Sequence, residues 1–138
     1  MTSKIRDWII PLTSLAIAIM ALSYSSWRDE LSEQNRNVRV AGFEIIKELS
    51  ALQLVSNYAY YDQNDTQGNP IIGWKHILLI EDLAIFMPLP VGEQANKLHD
   101  QWTAHIDQLA ENKINNDAVV AEIVNTQKAV LASLKALY

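Results

Sequence analysis

Apolar and polar positions divide this chain into two regimes. From Trp8 to Trp27 (WIIPLTSLAIAIMALSYSSW) twenty residues pass without a charged side chain. As a helix rising 1.5 Å per residue, such a run spans about 30 Å, the thickness of a bilayer hydrocarbon core. Trp8 and Trp27 close its two ends, and Tyr24 lies one turn before the second. Rings of this kind favour the headgroup level, so Trp8, Tyr24 and Trp27 predict a membrane anchor seated at both interfaces. Pro11 is expected in the first turn, where a missing N–H costs least. A cleaved secretory signal peptide is the competing reading, resting on Lys4, Arg6 and the small-residue site Ala21-Leu22-Ser23. The anchor is preferred because the helical pattern runs on through Trp27 without a breaker.

Beyond Arg28 the pattern changes to a period of 3.6. Val38, Ala41, Ile45, Leu49, Leu52, Val55 and Ala59 recur at steps of 3 and 4 and form one apolar stripe. Glu44 and Lys47 fall off that stripe and are placed to pair at i, i+3. Asp62 to Pro70 (DQNDTQGNP) reads as a loop. A second helix is expected from Ile71 to Met87, stopped by Pro88-Leu89-Pro90. It is strongly apolar, yet Lys75, His76, Glu81 and Asp82 argue against a second span, because each is costly at mid-bilayer. A third helix is expected from about Val91 to Asn112, with Val91, Ala95, Leu98, Trp102, Ile106 and Leu109 in register. Asn115-Asn116-Asp117 offers N-cap chemistry for a fourth helix carrying Val119, Ile123, Thr126, Val130, Leu134 and Leu137. No stretch alternates at period two. The fold class expected is all-α: an N-terminal transmembrane helix continuing into an antiparallel bundle of about four helices. The expected organisation is an anchor over 1–27, a polar juxtamembrane stalk over 28–37 and a helical bundle domain over 38–138.

Composition narrows the partners. The 138 residues carry 11 basic against 16 acidic side chains, for a net charge of −5, with no basic patch or aromatic–arginine strip. Nucleic acid is therefore not expected as a partner. The absence of cysteine excludes disulfides, thiolate metal sites and cysteine nucleophiles. The membrane flanks carry Lys4 and Arg6 on one side and Arg28, Arg36 and Arg39 on the other. The positive-inside rule comes close to a tie on these counts. The short basic N-terminal flank resembles a bacterial signal-anchor and places the domain outside the cytoplasm.

Candidate chemistry is sparse. His99 and His105 are six residues apart, on different faces of one helix, and neither Glu-x-x-His nor His-Glu-x-x-His occurs. Glu44 and Glu48, one turn apart, read as a solvated helix face rather than a carboxylate pair. His105 reads as a structural histidine, and Trp74 and Trp102 as core or core-rim residues. Four scattered glycines make no phosphate loop. No catalytic residue, no cofactor-binding residue and no metal ligand is assigned, and the chain is not expected to be an enzyme. Tyr58, Tyr60 and Tyr61, clustered where the first helix ends, and Trp74 are the candidate partner surface, since aromatic side chains are enriched in interface cores.

The stretch Trp27 to Leu52, together with Trp74 and the Pro88-Leu89-Pro90 region, resembles uncharacterised small single-pass inner-membrane proteins of bacteria. That resemblance implies a bacterial inner-membrane location and transfers no active residue. The functional expectation is a membrane-anchored interaction or accessory protein, held in the bilayer by residues 8–27, with a protein partner or a second copy of itself. Self-association would run through the stripe from Val38 to Ala59 as a coiled coil, or through small residues of the span. The alternative is an extracytoplasmic binding module for a small apolar or amphipathic ligand, with a pocket lined by Trp74, Phe86 and Trp102.

Overall fold

A computed structural model describes residues 2–137, with side-chain surroundings from Trp8 onward. Four α-helices account for most of it: α1 Thr2–Tyr60, α2 Pro70–Ala84, α3 Val91–His105 and α4 Lys113–Lys135, with a 3-10 turn, Ile106–Gln108, after α3. Among the described residues there is no strand. The chain divides into two compact units, Met1–Arg36 and Asn37–Tyr138.

The first unit is a single helical segment with its apolar side chains outermost. Trp8 (73%), Ile10 (61%), Ile17 (64%), Leu22 (70%) and Trp27 (59%) are all largely exposed. None of the most apolar 18-residue window is buried, and this helix is long and apolar enough to cross a membrane. A helix apolar on every side has the pattern of a core helix or of a membrane span. Thr13 Oγ1 and Ser14 Oγ donate back to the carbonyls of Ile9 and Ile10 at 2.9 Å, so these hydroxyls ask nothing of their surroundings. Because α1 begins at Thr2, Pro11 stands inside the helix rather than in its first turn. The proline has no N–H for the carbonyl of Asp7 four residues earlier.

The second unit is an up-down-up-down bundle in which each helix runs antiparallel to the next. α1 meets α2 where Glu48 faces His76, and again where Val40 and Ala41 lie beside Leu83 and Phe86. α1 meets α4 where Ser56 faces Asn116, and again where Gly42 lies against Leu134. The core is the set of stripes expected: Ile45, Leu49, Leu52, Ile77, Ile80, Val91, Leu98, Trp102, Val119 and Val130 are each at most 1% exposed. The apolar stripe from Val38 to Ala59 is therefore consumed by the chain's own core and offers no face to a second copy. Leu, Ile and Val side chains buried this completely each contribute roughly 1.5–3 kcal/mol relative to exposure.

Four boundaries fall elsewhere than the pattern predicts, the first being the end of α2, at Ala84 rather than Met87, with Ile85 as its C-cap. α2 starts one residue early because Asn69 caps it, accepting from the Ile71 N–H at 2.9 Å, with Pro70 in the first turn where its fixed φ suits the helix. α3 ends at His105, not Asn112, and tightens into the 3-10 turn. Asn112 then caps α4, its Oδ1 accepting from the Ile114 N–H at 2.9 Å. Asn115-Asn116-Asp117 is thus not the cap but lies within the helix, which frees Asn116 to turn inward.

Candidate functional site

Among the described residues, side-chain polar contacts join each neighbouring pair of α-helices around the bundle. His76 Nδ1 of α2 lies 2.5 Å from Glu48 Oε2 of α1. His99 Nδ1 of α3 lies 2.8 Å from Glu81 Oε2 of α2. Thr126 Oγ1 of α4 donates to the Gln94 carbonyl of α3 at 3.3 Å. Asn116 Nδ2 of α4 donates to Ser56 of α1, to its carbonyl at 3.0 Å and its hydroxyl at 2.8 Å. Buried groups of this kind cost stability when left unpaired, so each contact favours one neighbour and one register.

Glu48 corrects the sequence reading. It is 8% exposed, not part of a solvated face, and His76 is its partner. The signal was present: Ala41, Ile45, Glu48, Leu52, Val55 and Ala59 are spaced 4, 3, 4, 3 and 4, so Glu48 occupies a core position of the stripe. Glu44 does behave as a surface residue. It accepts from Lys47 Nζ at 2.8 Å, and this hydrogen bond, with the attraction between the charges, holds the lysine above its ordinary value of 10.5.

The histidines do not converge. His76 and His99 each meet one carboxylate, and His99 also meets Trp74 edge-on with ring centroids 5.2 Å apart. His105 Nε2 lies 3.2 Å from Gln101 Oε1, one turn back on its own helix. Among the described residues no three His, Cys, Asp or Glu side chains gather where a metal ion would sit. The arrangement can join helices.

The candidate partner residues separate. Tyr60 and Tyr61 meet edge-on with centroids 4.8 Å apart, and Tyr61 is 63% exposed. Tyr58 and Tyr60 are half-buried. Trp74, also half-buried, packs against the core and His99, and no ring contact among the described residues joins it to the tyrosines. Trp74, Phe86 and Trp102 do not surround a common space. Trp102 is 0% exposed, with Gly73 so close that a Cβ there would overlap its ring, whereas Phe86 stands on the surface at 62% exposure.

What the residue patterns did not single out is the far side of the proline stop. Ile85 is 79% exposed, Phe86 62% and Leu89 77%, and Val40 of α1 beside them is 64% exposed. Leu83, Phe86, Val40, Ala41 and Asn37 line an open groove of about 370 Å³. Met87 turns into the core at 8% exposure, but the run Ile85-Phe86-Met87-Pro88-Leu89-Pro90 was a signal in the sequence, since a loop this apolar leaves some of its side chains outside.

Fold and site together define an all-helical bundle with one apolar N-terminal helix and an apolar patch at one end. Compared with protein-family models, curated proteins and solved structures, the chain matches none.

Proposed function

We propose that this chain is a membrane-anchored helical interaction protein, a scaffold, assembly factor or small subunit of a membrane complex, with no catalytic activity of its own. Residues 8–27 form the anchor, in a bacterial inner membrane, with the bundle on the periplasmic side. One observation carries the reading: the most apolar window of α1 is exposed along its whole length, while in the bundle the buried Glu48, Asn116 and Thr126 are held by partners on neighbouring helices. The uninterrupted passage of α1 through Ala21-Leu22-Ser23 favours an anchor over a cleaved signal, which ordinarily ends in an extended segment. Exposed Tyr61 and the apolar patch about Phe86 favour docking over chemistry.

A tag placed after Tyr138 tests it. Protease added to intact spheroplasts should remove the tag, and extraction in a gentle detergent should recover a stable complex. A protected tag would move the bundle to the cytoplasm. A protein recovered alone at every detergent strength would remove the accessory role.

A further inference from the structure

We infer that the loop Ile85–Pro90 is a second membrane contact, a shallow apolar finger that enters the bilayer interface; this rests on residues 8–27 being a membrane span. The loop holds six apolar residues and no charge, and Ile85, Phe86 and Leu89 turn most of their surface outward. Loops lie on the surface and are ordinarily polar, because water is their usual neighbour. The other α-helical hairpin loop of α2, Asp62–Asn69, follows that rule with eight residues, DQNDTQGN.

Position selects the occupant. Phe86 shares a groove with Asn37 and Val40, so the apolar loop sits at the end where the chain enters the bundle. Only the nine residues from Arg28 to Arg36 separate Trp27 from Asn37. They reach about 15 Å as a helix and about 35 Å at full extension, so the bilayer surface stays within a short tether of this end. Acidic Asp82 and Glu93 flank the loop on either side, which suits shallow apolar insertion into neutral lipid rather than attraction to anionic headgroups. Leu89 and Ile85 are the most exposed of the patch.

The chain has no cysteine, so single-site labels are unambiguous. The full chain, reconstituted in phosphatidylcholine vesicles, would carry an environment-sensitive fluorophore through Leu89→Cys, through Ala18→Cys in the span, or through Thr66→Cys at the opposite end of the bundle. Vesicles with nitroxide-bearing acyl chains report contact with lipid. Labels at 18 and 89 should emit to the blue and be quenched, and the label at 66 should do neither. Adding Phe86→Ser to the Leu89→Cys chain should reduce the quenching. Quenching at 18 with none at 89 would overturn this inference and leave the anchor standing; no quenching at 18 would overturn the anchor itself. A blue shift at 89 without quenching would assign the loop to a protein surface, a second copy in pure vesicles, and would equally overturn the lipid contact.

Discussion

The two ends of the bundle solve the same problem, turning the chain between helices, by opposite means. At the polar end, side chains hold the backbone. Asn64 Oδ1 accepts from the N–H groups of Thr66 and Gln67 at 3.0 Å, Asn69 caps α2 and Asn112 caps α4. Gln63, in the left-handed region at φ 49°, donates to the carbonyl of Tyr60 at 2.8 Å and to that of Ala110 at 3.0 Å, tying the end of α1 to the segment after α3. At the apolar end no side chain of Ile85–Pro90 can do this. The backbone turns on its own bonds, Phe86 N–H to Leu83 and Met87 N–H to Ala84, and Pro90 begins α3 with no side-chain cap. The polar end is complete in water. The apolar end leaves Ile85, Phe86 and Leu89 facing outward.

That contrast can be broken first where the polar end is most tightly packed. Gly73→Ala, in the first turn of α2, would drive a methyl into the buried Trp102 indole in the last turn of α3. The expected loss is about 3 kcal/mol, at the upper end for overpacking, read by denaturant unfolding of the full chain in micelles. Asn116→Ala comes next. It strands the Ser56 hydroxyl and carbonyl inside the bundle, for a loss of about 2 kcal/mol in the same measurement. Asn69→Ala removes a cap and should cost about 1 kcal/mol, with fraying of α2 visible as faster amide exchange at Ile71.

The same measurement at the apolar end should give almost nothing. Phe86→Ser with Leu89→Ser should change unfolding stability by no more than about 0.5 kcal/mol, because both side chains already face outward. A large loss there would mean that the loop is part of the core and that the two ends are alike. The smallest effect is at the surface of the polar end. Lys113 donates to Asp117 at 2.5 Å, and this hydrogen bond, with the charge of Asp117, holds the lysine above 10.5. With the folded value raised, any stabilisation is full below pH 10.5 and is lost as pH rises through the raised value. Asp117→Asn should return the Lys113 titration, followed by NMR, to the ordinary range.

Much of this fold is legible as spacing. The stripes through Leu49, Trp102 and Val130 predict buried faces because a helix repeats its environment every three or four residues, and those faces are the core. What spacing leaves out is which polar residue turns inward. Asn116 reads as a cap by its neighbours Asn115 and Asp117, but Asn112 takes that role first and Asn116 is left opposite Ser56 on another helix, sixty residues away in sequence. Glu48 reads as solvated because its partner His76 lies beyond a loop. Of the candidate partner residues, Tyr61 stands exposed and Tyr58 and Tyr60 are half-buried. Trp74, equally aromatic, is claimed by His99 and the core, and nothing local to residue 74 announces that. The exposed loop was written plainly in six letters, but a proline-bounded apolar run reads as a helix stop until its burial is known.

The ring of cross-helix contacts has a mechanical consequence. A load drawn through the chain at Asn37 enters the bundle along α1, and α1 is gripped on both sides, by His76 of α2 and by Asn116 of α4. Because α2 and α4 both run antiparallel to α1, a pull along its axis shears the two grips together instead of peeling them in turn. A bundle pulled through Asn37 would yield late and all at once.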